Sequence, residues 1–241
     1  MLSTLLRCCV LTVVMVSPTL AQTPYADPTH GFSLTIPPGW VAKTPQEVKE
    51  FDAAVGGRMS DRNFRFIGGF RLEDESQAVP YILVQETTMP MDGVSWEVIE
   101  KEFDAASYSK SVESKVKEDL PDLVRSATME KPTVDRATGR AFLGLVLTDA
   151  TGAKVRGLSV MHFTRNGAVQ LNFYTTADRY EMDIAQFEPF LASFKLDPGK
   201  AFVPSQPRSA LSRIGTKAAI GAAIGVALGF GHWITRKKKA A

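Results

Sequence analysis

The sequence predicts an α+β domain on a mostly antiparallel sheet, followed by a single transmembrane helix. Three observations carry this. Gly31–Ile36 alternates apolar and polar residues and stops at Pro37-Pro38-Gly39, a strand followed by a turn. Four β-prone segments crowd the second half, two of them separated by the hairpin signal Arg165-Asn166-Gly167. Ala218–Ile234 then runs 17 residues without Asp, Glu, Lys or Arg.

Between these landmarks each element has a local cause. Thr44-Pro45-Gln46-Glu47 opens a helix, with Thr as N-cap, Pro at the first position and Glu closing a capping box. That helix is expected to reach Val55 and stop at Gly56-Gly57. Phe64–Leu72 and Val79–Thr87 read as strands around the acidic turn Glu73–Gln77, with Gly68-Gly69 marking a bulge or a close backbone approach. Ser95 caps one long helical stretch to about Val124, with Trp96, Ile99, Phe103, Ala106, Val112, Val116 and Leu120 forming one apolar stripe that Pro121 ends or kinks. Thr128–Val134, Ala141–Thr148, Val155–Phe163 and Ala168–Thr176 are β-prone, and Asp149–Gly152 is a further hairpin turn. Met182–Phe194 reads as a closing helix.

Charge divides the 241-residue chain into regions. Residues 22–200 hold 20 Lys/Arg against all 26 Asp/Glu, whereas 201–241 hold seven Lys/Arg and no acid. A nucleic-acid-binding domain concentrates base in its fold, so no nucleic-acid partner is expected. A mildly acidic domain with a basic, membrane-seeking end is the better description.

Residues 1–21 read as a secretory signal peptide: Arg7, the apolar run Cys8–Val16, then Thr19-Leu20-Ala21 as a small-residue cleavage site. Both cysteines, Cys8 and Cys9, fall in this segment, so the mature chain has neither thiol nor disulfide. Residues 22–197 form the domain, 198–217 a linker, 218–235 the transmembrane helix and 236–241 a basic cytoplasmic tail. Seventeen helical residues span about 26 Å, just short of the ~30 Å hydrocarbon core. Lys217 on one side and Arg236, Lys237, Lys238 and Lys239 on the other flank the membrane, and the four-base cluster stays inside. The domain is thus expected on the periplasmic or extracytoplasmic side of a cell membrane. Gly221, Gly225 and Gly229 lie at i, i+4 and i+8, a glycine-zipper face for helix packing in lipid, by self-association or with a partner helix. An Ala/Gly-rich filler is the plainer alternative.

Tyr25-Ala26-Asp27-Pro28 through Gly31-Phe32-Ser33-Leu34-Thr35-Ile36-Pro37-Pro38-Gly39-Trp40 resembles the opening of the PsbP/Mog1/DcrB-like superfamily. Phe187-Glu188-Pro189-Phe190-Leu191-Ala192-Ser193-Phe194-Lys195 resembles its last helix, and the likeness covers about Tyr25–Leu196. It implies an α/β/α sandwich on an antiparallel sheet and a binding or accessory role, with no universal catalytic residues to carry over.

No nucleophile elbow, zinc-protease helix, P-loop or dinucleotide fingerprint is present in the sequence. No catalytic residue, cofactor or metal is therefore expected. His30 and His162 read as surface or satisfied strand residues, Glu73-Asp74-Glu75 as a solvated turn, and Arg62, Arg65 and Arg71 as scattered strand charges. Trp40 reads as a core or lid aromatic. The expected function is a non-enzymatic, membrane-anchored accessory domain acting through protein–protein contacts. The rival is a small-ligand binder or envelope enzyme with a pocket between the sheet and the long helix.

Overall fold

The computed structural model describes residues 22–56, 63–74, 79–104 and 106–205. In chain order the strands are β1 Thr23–Asp27, β2 Phe32–Ile36, β3 Trp40–Ala42, β4 Phe64–Leu72, β5 Tyr81–Thr88, β6 Val124–Met129, β7 Thr133–Asp135, β8 Arg140–Asp149, β9 Lys154–Thr164, β10 Gly167–Thr176 and β11 Lys195–Leu196. The helices are α1 Pro45–Gly56, α2 Trp96–Asp104, α3 Ala106–Asp119, α4 Tyr180–Asp183 and α5 Glu188–Ser193. All pairings among these strands are antiparallel.

The large sheet has the order β3-β4-β5-β10-β9-β8-β6, with β7 also paired to β8; the small sheet is β1-β2-β11. Strand alternation sends each side chain of the large sheet to one of two cores. On one face, Leu83, Leu143, Leu145, Met161 and Phe163 meet Ile99, Phe103, Val112, Val116 and Leu120 from α2 and α3. On the other, Ile82, Val84, Val160, Leu171 and Phe173 meet Phe32, Leu34 and Ile36 of β2 and Phe187, Phe190 and Phe194 of the closing segment. Both faces being covered, β10 is buried from Gly167 to Thr175.

Several elements stand where their local signals put them. The Thr44 capping box forms: the Thr44 N–H donates to Glu47 Oε2 at 2.7 Å and the Glu47 N–H to Thr44 Oγ1 at 3.2 Å. The ladder slips between Phe66 and Gly68, which is the bulge the glycine pair suggests. At the Asn166–Gly167 turn, Gly167 has φ +145°, and a Cβ there would sit 1.9 Å from the Thr87 carbonyl oxygen.

Other elements differ from the sequence reading. The long helical stretch ends at Asp119, and β6 already begins at Val124; Ala105, between α2 and α3, lies outside the described residues. The apolar stripe is continuous in the core, because Ile99, Phe103, Val112, Val116 and Leu120 are all buried. Thr128–Val134 divides into the end of β6 and β7, around Glu130-Lys131-Pro132; Pro132 has no N–H for a ladder bond. The closing helix is likewise divided into α4, a 3-10 turn at Ile184–Gln186, and α5 with Pro189 in its first turn. β1 has no alternation of its own and exists by pairing with β2, Tyr25 opposite Leu34.

Among the described residues no helix is long and apolar enough to cross a membrane. The expected signal peptide (1–21) and the expected span (218–235) with its tail lie outside the described residues.

Phe187 is fully buried and stacks on Phe173 with centroids 5.4 Å apart. Phe187→Ala removes that ring and leaves a cavity; a loss of about 3–5 kcal/mol is expected in urea unfolding, with an unchanged m-value.

Candidate functional site

The site begins with the central strands on the face toward α2 and α3. In register, Gln85 of β5 lies opposite Gln170 of β10, and Asn172 of β10 lies opposite both Leu83 of β5 and Ser159 of β9. Gln85, Gln170 and Asn172 are completely buried, and Thr87 and Ser159 nearly so. A row of neutral amides and hydroxyls thus crosses β5, β10 and β9 inside an otherwise apolar core. Next to it lie Tyr81 and Tyr174, ring centroids 5.1 Å apart. Burial pushes both phenols above their ordinary range, so both stay neutral. Tyr174 lies over Gly157, where a Cβ would come within 2.7 Å of the ring.

Hydrogen bonds within the row are specific. The Ser159 hydroxyl donates to Asn172 Oδ1, and the Gln85 amide donates to Thr87 Oγ1 at 3.0 Å. The Asn172 amide nitrogen has no acceptor among the described residues. An unmet buried donor costs about 1–3 kcal/mol. Chemically the row presents donors and acceptors without charge. It suits a neutral hydrogen-bonding partner and not proton transfer.

The opposite face holds a shallow groove of about 340 Å³ lined by Gln22, Thr35, Pro37, Pro189, Ala192 and Ser193. Ser193 is committed inside it: its hydroxyl donates to the Pro189 carbonyl at 2.7 Å and accepts the Thr35 N–H at 3.0 Å. That pair ties α5 to β2. Asp183 is also buried, and it accepts from Thr175 Oγ1 at 2.5 Å and Arg179 Nη2 at 3.1 Å.

The residues singled out in the sequence are dispersed. The His30 backbone N–H donates to Asp27 Oδ1 at 3.0 Å, with its Nδ1 2.6 Å from Oδ2, which fixes the β1–β2 turn. His162 on β9 is buried, with its ring 4.0 Å from that of Phe194 and its Nε2 unpartnered among the described residues. Burial first, and the charge of Arg140 second, push its pKa down to about 3. Trp40 is buried against Phe190, centroids 5.2 Å apart. Arg65 pairs with Glu86, and Arg71 lies 3.9 Å from Glu47, so the two arginines of β4 enter separate ion pairs in place of one patch. Arg62 lies outside the described residues, as do Lys217, Gly221, Gly225, Gly229, Arg236, Lys237, Lys238 and Lys239. Among the described residues no three His, Cys, Asp or Glu side chains converge as a metal site requires.

No protein-family model matches this chain, and no curated protein matches its sequence. Among solved structures it is similar to cyanobacterial PsbP (CyanoP) from Synechocystis sp. PCC 6803, in solution. The identity is 14%, the alignment covers 73% of this chain and 93% of that one, and the TM-score is 0.48.

The buried row makes a double-mutant prediction. Ser159→Ala alone leaves Asn172 without its donor and is expected to cost about 1–3 kcal/mol. Ser159→Ala with Asn172→Leu removes both polar groups and should recover most of that loss; urea melts of the two variants measure the difference. His162 makes a second. Its folded pKa lies below the ordinary 6.5, so the unfolded chain takes the proton first. Stability attributable to this ring is intact above pH ~6.5 and falls by up to about 1.4 kcal/mol per pH unit as pH drops toward 3. Replacing it (His162→Leu) should flatten that part of the stability–pH curve.

Proposed function

We propose that this protein is an exported, membrane-anchored accessory domain of PsbP/Mog1-like α/β/α architecture that acts through protein–protein contacts at the cell envelope, without enzymatic activity. The observation that carries the reading is how the domain directs its polar chemistry. Ser193 bridges α5 to β2, Ser159 serves Asn172, and Asp183 serves Thr175 and Arg179. At the surface, Arg136 joins Glu97 and Glu100 at 2.6–2.8 Å and fastens the Asp135–Gly139 turn to α2. These polar groups fasten one element to another, which supports shape and surface contact as the means of recognition.

The two ends of the sequence support the location. A cleavable leader sends the domain out, the uncharged run from Ala218 holds it at the membrane, and the Arg236–Lys239 cluster stays inside. The opening motif and the closing helix support the architecture. They resemble the PsbP/Mog1/DcrB-like pattern, and their apolar residues pack on each other: Phe32 stacks on Phe194 at 5.5 Å.

A second reading has one observation in its favour. The buried amide row, with its unmet Asn172 donor, is what a small neutral ligand between the sheet and α2–α3 would use. Native mass spectrometry separates the two: a retained mass of small-molecule size supports the ligand binder, and a bare chain the accessory domain.

The first experiment is in vivo cross-linking of the tagged full-length chain beside a variant carrying Gly221→Ile, Gly225→Ile and Gly229→Ile. A self-adduct or a discrete partner is expected that the variant loses, since bulk on the glycine face prevents close helix approach. An unchanged captured set would reduce the span to a tether.

A further inference from the structure

We propose that the large sheet is closed to strand addition at both of its ends by two helix-borne carboxylates, Asp52 and Glu113. The strand they hold off is that of a second copy of this chain. Contact with this sheet is thereby made through side chains and not through an open backbone ladder.

The end strands of a sheet carry unpaired N–H and C=O groups, which recruit further strands unless something covers them. The order β3-β4-β5-β10-β9-β8-β6 leaves two such places. At one end β3 pairs only with Phe70–Leu72, so the Phe64–Gly68 part of β4 has no strand on that side among the described residues. At the other end β6 pairs with β8 alone.

α1 closes the first place. Val48, Phe51 and Asp52 lie three and four positions apart, on one face of the helix. Val48 is buried in the core, and the Phe51 ring stands edge-on to Phe66 with centroids 4.9 Å apart. Asp52 Oδ1 accepts the Phe66 N–H at 2.6 Å. A half-buried carboxylate on a core-facing side of a helix needs a donor to serve, and here that donor is an edge amide of β4.

α3 closes the second place in the same way. Glu113 follows the buried Val112 and precedes the buried Val116 by one turn. Its Oε1 accepts the Met129 N–H at 3.0 Å. The next amide, that of Glu130, donates to the Gly144 carbonyl of β8 at 2.9 Å. By strand alternation the Met129 N–H therefore points away from the sheet.

The chemistry of the group suits the task. A carboxylate accepts and does not donate. It occupies the N–H to which an incoming carbonyl would bond, and it sets a negative charge where that carbonyl oxygen would stand. The small sheet has a neutral counterpart: past the end of β11, the Thr35 N–H of β2 donates to Ser193 Oγ of α5. Three helices thus each place an acceptor on an amide that the ladders leave over.

The test uses the full-length chain in detergent solution, where the unaltered protein sets the baseline of association whatever its C-terminal segment contributes. Asp52→Ala and Glu113→Ala are each expected to raise the mass read by light scattering to a higher multiple of the chain, with circular dichroism unchanged. Adding Thr128→Lys to Glu113→Ala should restore the baseline mass. Thr128 is exposed on β6, and a lysine there obstructs pairing without restoring the lost bond. Association that the lysine does not reverse overturns the edge as its route. Folded alanine variants that keep the baseline mass overturn the guard role and leave the two bonds as stabilising caps alone. Amide exchange of the unaltered chain needs no variant and decides the matter if the alanine variants fail to fold. The Phe66 and Met129 amides should exchange at least about tenfold more slowly than unbonded exposed amides; exchange at the unbonded rate overturns the proposal.

Discussion

β10 must be covered on both sides, and the rest of the structure follows from that requirement. It lies between β5 and β9 in the middle of the large sheet, and Gly167–Thr175 are buried without interruption. A strand in that position has two apolar debts, Val169, Leu171 and Phe173 on one face and Ala168 and Tyr174 on the other. The chain meets them from different places. α2 and α3, from mid-sequence, close one side. The other is closed by the two extremes of the domain together, the opening hairpin and the closing helix. The aromatic ladder of Phe32, Phe194, Trp40, Phe190, Phe70 and Phe173 is the contact through which they meet.

Local signals made much of the fold legible in the sequence. The capping box at Thr44, the Gly68–Gly69 bulge and the Asn166–Gly167 turn each depend on a few adjacent residues, and each stands where those residues put it. Elements that depend on distant partners were not legible. β1 contains Pro24 and has no pattern of its own; only β2 makes it a strand.

The candidate site was invisible for a related reason. Gln85, Ser159, Gln170 and Asn172 occupy the polar beats of alternating strands, and alternation ordinarily assigns such positions to water. Here that face lies beneath a second layer, and the same residues become a buried network. The signal that was present is their number: amides at facing positions on neighbouring strands, in a chain with two sets of helices to place. The segment Lys200–Ser205 was missed as part of the domain because Pro198-Gly199 and Pro204 carry linker composition, whereas its backbone bonds to Phe163, Arg165 and Val94 are independent of side-chain identity.

The small sheet has a consequence for the order of assembly. β2 is held between β1, which precedes it, and β11, whose Lys195 lies opposite Ser33. Residues more than 160 positions apart in the chain are thus adjacent in one three-stranded sheet. During synthesis the free edge of β2 waits for nearly the whole domain to emerge before β11 can pair with it, and loop closure of that length slows folding. A nascent chain built this way stays threadable for as long as its C-terminal third is missing. The small sheet is therefore complete only once the last strand of the domain has been made.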